Sequence, residues 1–139
     1  MRVRPGAYIV RNHRILTLKY TYPGGVIYAL PGGNLEFGEE LGPALSRELS
    51  EELGISCSPG EILHVAEVMY AGENTIHFIF ECGEFSGEPR LNPAETKAEE
   101  IAWLPLAELD GYMLYPNIGE ALMSASAPVF LGVIEQPRY

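Results

Sequence analysis

"GGNLEFGEELGPALSRELSEELGI", residues 32–55, decides how this chain is read. Leu41, Leu45, Leu49 and Leu53 recur every four residues and lay one apolar stripe along a helix. Pro43 suits the first turn, where its missing N–H costs little, and Gly54 suits the residue just past the end. The spacing predicts an amphipathic helix over 41–53. Beside the leucines stand Glu48, Glu51 and Glu52, at i, i+3 and i+4. Like charges so spaced oppose the helix by roughly 0.2–0.5 kcal/mol per pair. Arg47 can pair with Glu51 at i,i+4 and soften that repulsion. A solvated helix face would explain the stripe if it stood alone. It does not: Gly32 and Gly33 precede it in a loop, and Glu39 and Glu40 add a second acidic pair. Clustered carboxylates favour hard divalent cations. Mg²⁺ in particular takes one or two protein carboxylates, keeps several waters and completes its shell with substrate phosphates.

The chain has 139 residues, the size of one ordinary domain, and 47% of them are hydrophobic, enough for a real core. Its formal charge of −10 argues against a nucleic-acid footprint and against attraction to anionic membranes. A small anionic substrate is still admissible if a divalent cation stands between the two sets of negative charge. No apolar run approaches the roughly 20 residues that span a bilayer. "MRVRPGAYIV" lacks a signal-peptide h-region. Cys57 and Cys82 have neither CxxC nor metal-finger spacing, so reduced, partly buried thiols in a cytoplasmic protein are expected.

Outward from the helix, strands dominate. "AYIVRN" and "RILTLKY" flank "NHR" as a hairpin, and "VIYAL" is a short strand running into the glycine-rich turn. "EILHVAEVMYA" and "NTIHFIFECGEF" follow the helix. "GEPRLNPAETKAEE" is a long polar loop, and "IAWLPLAEL" is a strand entering a turn. "PNIGEALMSA" reads as helical and "PVFLGVI" as a last strand. The expected class is α/β (α+β), a mixed β-sheet with helices packed on it, in one domain over 1–139.

The quoted stretch resembles the Nudix box: a glycine, five residues, a glutamate, seven residues, then Arg-Glu-apolar-x-Glu-Glu-x-Gly-apolar. Gly33, Glu39, Arg47, Glu48, Leu49, Glu51, Glu52, Gly54 and Ile55 occupy every fixed position over residues 33–55. The resemblance implies an α/β/α sandwich with the box as loop–helix–loop. It further implies a hydrolase of the diphosphate linkage in a nucleoside diphosphate joined to a group X, dependent on Mg²⁺ or Mn²⁺. Glu48, Glu51 and Glu52 would be metal ligands, with the Gly33 carbonyl. Arg47 would orient the glutamates, Glu39 would support them, and Gly32 and Gly33 would allow the close turn. The base would be Glu51 or Glu48 of the box, or a later loop carboxylate, with Glu99 or Glu100 favoured over Glu95 because they adjoin the next strand. The family's precedent allows a homodimer.

Tyr20, Tyr22, Tyr28, Tyr70 and His77 are candidates for substrate contact, though each also suits the core or rim of a small β-rich domain. "YAG" at 70–72 lacks the proline that ADP-ribose hydrolases tend to carry beyond the box, and Tyr70 loosely resembles dinucleoside polyphosphate hydrolases. A nucleoside triphosphate, a nucleotide sugar or a dinucleoside polyphosphate all fit. The alternative is a Nudix-fold nucleotide sensor without turnover, which the intact box opposes. An isoprenoid diphosphate isomerase lacks support from the placing of the two cysteines, and an RNA-end hydrolase lacks basic surface.

Overall fold

The leucine stripe becomes the buried face of α1 (Leu41–Leu53) in the computed structural model, which describes residues 1–137. Leu45, Leu49 and Leu53 are all essentially inaccessible to solvent. Gly54 ends the helix in the left-handed conformation, φ 66°, and its N–H reaches Ser50 O while Ile55 N–H reaches Leu49 O. That is the terminus expected of a glycine just past the last turn.

The strands are β1 (Arg2–Tyr8), β2 (Val10–Arg11), β3 (Arg14–Tyr22), β4 (Gly25–Ala29), β5 (Ser56–Cys57) and β6 (Ile62–Tyr70). They continue with β7 (Glu73–Glu81), β8 (Phe85–Ser86), β9 (Glu100–Pro105), β10 (Leu114–Tyr115) and β11 (Phe130–Ile134). One mixed sheet runs β1-β7-β6-β11, with β1 parallel to β7, β6 antiparallel to β7 and β11 parallel to β6. A second runs β10-β4-β3-β2, with β9 also paired to β3, and β5 and β8 form a two-stranded third. A bridge between Gly6 and Gly32 ties the first two sheets at the start of the box. The expected hairpin is present: Asn12 and His13 both take positive φ, 54° and 62°, as a tight turn between twisted strands requires.

Alternation along the strands divides the core in two. Leu16 and Leu18 of β3 meet Leu45, Leu49 and Leu53 of α1, together with Ala7, Phe80 and Cys82. Ile15, one residue out of phase, faces the opposite side with Ile79, Leu104, Leu109 and Leu114. A 3₁₀ turn (Leu106–Gly111) and α2 (Gly119–Met123) cover that second side. The outer helical layer is therefore thin there: α2 has five residues where the sequence suggested a longer helix. Cys57 and Cys82 are free and buried. No helix among the described residues is long and apolar enough to cross a membrane.

Leu49 sits at the centre of the α1 contact, 1% exposed. Leu49→Ala should destabilise the protein by about 2–5 kcal/mol, whereas Ser50→Ala on the exposed face should stay within about 0.5 kcal/mol. Denaturant unfolding of the two variants checks both.

Candidate active site

The Gly-rich loop is fixed by main-chain bonds to β1. Ala7 N–H reaches Pro31 O at 2.9 Å, Gly33 N–H reaches Pro5 O at 3.3 Å and Leu35 N–H reaches Val3 O at 2.8 Å. A side chain at Gly32 would strike the Pro5 carbonyl, and one at Gly33 would fall on the carboxylate of Glu48. Glycine at 33 thus lets backbone and carboxylate meet face to face.

Arg47 resolves most of the repulsion written into the helix. Its Nε and Nη2 grip both oxygens of Glu39 at 2.8 and 3.0 Å, a bidentate arrangement. Nη1 donates to Glu51 at 3.0 Å, and Nη2 lies 3.2 Å from Glu48. Glu39 also accepts the Glu36 N–H at 3.0 Å, so the helix is tied to its preceding loop. The Arg47 side chain is 27% exposed, so these pairs are partly shielded from water.

Glu52 has no share in that guanidinium. Burial first, and then the charge of Glu48, push its pKa up to about 8. Protonated Glu52 hydrogen-bonds Glu48, whose own pKa is raised by burial despite Arg47. The two carboxyls line an open cleft of about 480 Å³, bordered also by Arg4, Tyr20, Gly33 and Glu95. Among the described residues no three acidic, imidazole or thiol groups form a metal cage. Two carboxyls facing a glycine backbone, holding a proton where a cation would remove the need for one, nevertheless fit Mg²⁺, which asks for only one or two protein carboxylates.

The cleft's far rim comes from the long polar loop. Asn92 N–H reaches Glu52 O at 2.9 Å and Asn92 Nδ2 donates to Glu51 O at 3.1 Å, while Arg90 N–H reaches Leu53 O at 3.0 Å. These bonds clip the loop to the last turn of α1 and bring Glu95, Thr96 and Lys97 over the cleft.

The structure brings Glu48, Glu52 and Gly33 together, and gathers Glu39, Arg47 and Glu51 beside them. Of the three loop carboxylates, Glu95 lines the cleft. Glu100 instead opens β9 opposite Lys19 and pairs with it at 3.5 Å, and Glu99 N–H bonds Lys19 O. Tyr28 does not reach the cleft; its ring stands edge-on to Tyr112 at 5.3 Å, over the second core. Tyr20, Tyr22 and Tyr70 line an adjoining cavity. His77 is 2% exposed beneath Tyr115, 5.1 Å ring to ring. Arg4 and Asn92 were not expected. "RVR" at the start of a strand and Asn before Pro93 were the available signals, an alternating basic pair and a turn marker.

The NUDIX domain profile matches residues 1–123, and the chain belongs to that family. It is 33% identical over 81 residues to the human 8-oxo-dGDP phosphatase NUDT18, a match covering 58% of this chain and 24% of that protein. The chain thus spans about a quarter of the length of the curated relatives it matches. The crystal structure of a MutT NUDIX hydrolase from Burkholderia pseudomallei is 32% identical, with a TM-score of 0.75 over 90% of this chain and 98% of that one. The E. coli ORF135 protein is 25% identical, with a TM-score of 0.75 over 88% of this chain and 86% of that one.

Because the folded pKa of Glu52 lies above the ordinary carboxylate value, the folded state keeps its proton when the unfolded state has lost it. Stability is then fully present below about pH 4 and falls as pH rises toward about 8. Melting wild type and Glu52→Gln in chelator from pH 5 to 8.5 should show a decline in Tm that the variant lacks. Parallel curves would refute the raised pKa of Glu52.

Proposed function

We propose that this NUDIX hydrolase is a divalent-metal-dependent pyrophosphohydrolase that cleaves a diphosphate linkage in a small nucleotide of the nucleoside diphosphate-X type. The observation that carries the reading is the Glu48–Glu52 pair lining one cleft with Gly33, the Glu48 carboxylate lying against the Gly33 backbone. Glu48, Glu52 and the carbonyl of Gly33 would hold Mg²⁺ or Mn²⁺. The bound ion supplies neutralisation of phosphate charge and activation of water.

The chain's own residues then have separable tasks. Arg47 favours the ionised form of Glu48 against the effect of burial, and engages Glu51. Glu39 fixes Arg47. Glu95, on the clipped loop that lines the cleft, would accept a proton from the attacking water, and Lys97 beside it would meet phosphate oxygens. Phosphoryl chemistry of this kind depends mainly on positioning and electrostatic stabilisation, which such a rigid set can provide. The names of the relatives support a nucleotide: NUDT18 is described by its action on 8-oxo-dGDP, a nucleoside diphosphate.

Phosphate release, with phosphatase or pyrophosphatase added to expose the monoester and pyrophosphate products, should be followed from a panel of nucleoside di- and triphosphates (8-oxo-dGDP included), nucleotide sugars, ADP-ribose and dinucleoside polyphosphates, each with Mg²⁺, Mn²⁺ or chelator. Metal-dependent release from at least one is expected. A blank panel with measurable nucleotide binding would convert the reading to a sensor. Glu48→Gln and Glu52→Gln should each lower kcat by roughly a hundredfold or more while Tm is kept or raised. Glu95→Gln should lower kcat by roughly a hundredfold or more with KM little changed, and an unimpaired Glu95→Gln returns the base to the helix.

A further inference from the structure

Beside the acidic cleft lies a second cavity of about 440 Å³, walled by Tyr20, Tyr22, Tyr70 and Tyr115 together with Arg2 and Arg4. Its size falls in the range of small-molecule sites, roughly 300–1,000 Å³. Tyr20 and Tyr22 present nearly parallel rings, 6.3 Å apart and 11° from coplanar. Such a wall suits a flat aromatic guest. Two residues, Tyr20 and Arg4, line both this cavity and the acidic cleft, so the two spaces meet at them.

Arg4 stands out among the cations. The chain has 19 acidic residues against 9 Lys and Arg, and its other arginines near acids are engaged. Arg2 pairs with Glu73 at 2.9 Å, Arg11 with Glu88 at 2.9 Å, and Arg47 holds the box. Among the described residues no carboxylate stands within ion-pair distance of Arg4. Its contacts are neutral: Nη1 donates to Asn34 Oδ1 at 3.1 Å, and the guanidinium sits 5.8 Å from the centre of the Tyr115 ring. Its charge is felt by Glu52 across the cleft, but no carboxylate pairs with it, so the guanidinium is available to an anion.

Its neighbour keeps it so. In the β1–β7 register Arg4 lies opposite His77, whose Nε2 has no hydrogen-bond partner. Burial, and then the charge of Arg4, hold the His77 pKa down at about 3, so the imidazole is neutral and does not compete for the anion. Both residues line a small cavity of about 10 Å³ shared with Gly32, room for about one water.

We infer that Arg4 is the positioning residue that takes the phosphate adjoining the nucleoside, with the base seated among Tyr20, Tyr22, Tyr70 and Tyr115 and the remaining phosphates in the acidic cleft. The cleft end of this assignment rests on the hydrolase reading above; the tyrosine cavity and Arg4 do not.

The test uses metal-free protein in chelator, so that binding is read apart from turnover. Adenosine, deoxyguanosine and their 5′-monophosphates are titrated by calorimetry against wild type, Arg4→Ala, Arg4→Lys and Tyr22→Ala. In wild type each monophosphate should bind at least about tenfold tighter than its nucleoside, the increment of a charge-assisted pair. Arg4→Ala should erase that increment while changing nucleoside affinity much less, a pattern that loss of packing would not produce. Arg4→Lys should restore part of it. Tyr22→Ala should weaken nucleoside and monophosphate alike. A phosphate increment surviving in Arg4→Ala, or no binding of either nucleoside, overturns the inference. An increment that depends on Arg4 in a protein without metal-dependent turnover would sustain it while sinking the hydrolase reading. Unchanged KM for the panel's best substrate in Arg4→Ala would do the reverse.

Discussion

The guanidinium of Arg47 is the constraint on which the acidic end of this molecule depends. The carboxylates of Glu36, Glu39, Glu48 and Glu51 each come within 4.0 Å of its nitrogens, two from the loop before α1 and two from the helix itself. Without a central cation, Glu39, Glu48 and Glu51 would repel, and the loop before α1 would lose its tie to the helix. Arg47 serves three carboxylates at hydrogen-bonding or close ionic distance because its planar fork donates in several directions at once, which a lysine cannot do. The remaining carboxyl, Glu52, is left to hold a proton. The division is informative: the acids that Arg47 neutralises become scaffold, and the pair it does not fully neutralise faces the cleft.

Packing supplies the other half of that arrangement. The leucines of α1 seat the helix on β1 and β3, and this fixes the height of Glu48 and Glu52 above Gly33. The Gly-rich loop is bonded through its backbone to β1, so neither partner in the approach is free to retreat. Hydrophobic burial and main-chain hydrogen bonds thus hold charges at separations that electrostatics by itself would widen.

Much of this was legible in residue spacing. The four-residue leucine period located α1 to its observed bounds, and Asn12–His13 marked a hairpin that exists. The glycine–glutamate–arginine spacing identified the cluster because all its members lie within 23 residues. What was not legible depended on strand register and on distant chain. Tyr28 pairs with Lys19 and Tyr20 with Ile27, so Tyr28 and Tyr20 fall on opposite faces, a fact that composition cannot carry. Glu100 was favoured for adjoining a strand, yet that strand is what commits it to Lys19. Glu95 reaches the cleft only because Asn92 is bonded to α1, some forty residues earlier. Arg4 is an unremarkable residue until β1 lies beside β7 and the box loop.

The loop anchored by Asn92 has a consequence for how such a site diversifies. Its two ends are held by backbone bonds, Asn92 to Glu52 and Glu99 to Lys19, and the residues between them border the cleft. The segment 93–98 is therefore a cassette. Glu95 and Lys97 face the cleft from it, while Thr96 bonds Tyr20 and Ala98 packs on the core, so the frame is held apart from the residues that meet a ligand. Inheritance of a fixed cation-binding half and a replaceable rim gives one scaffold a route to many reagents.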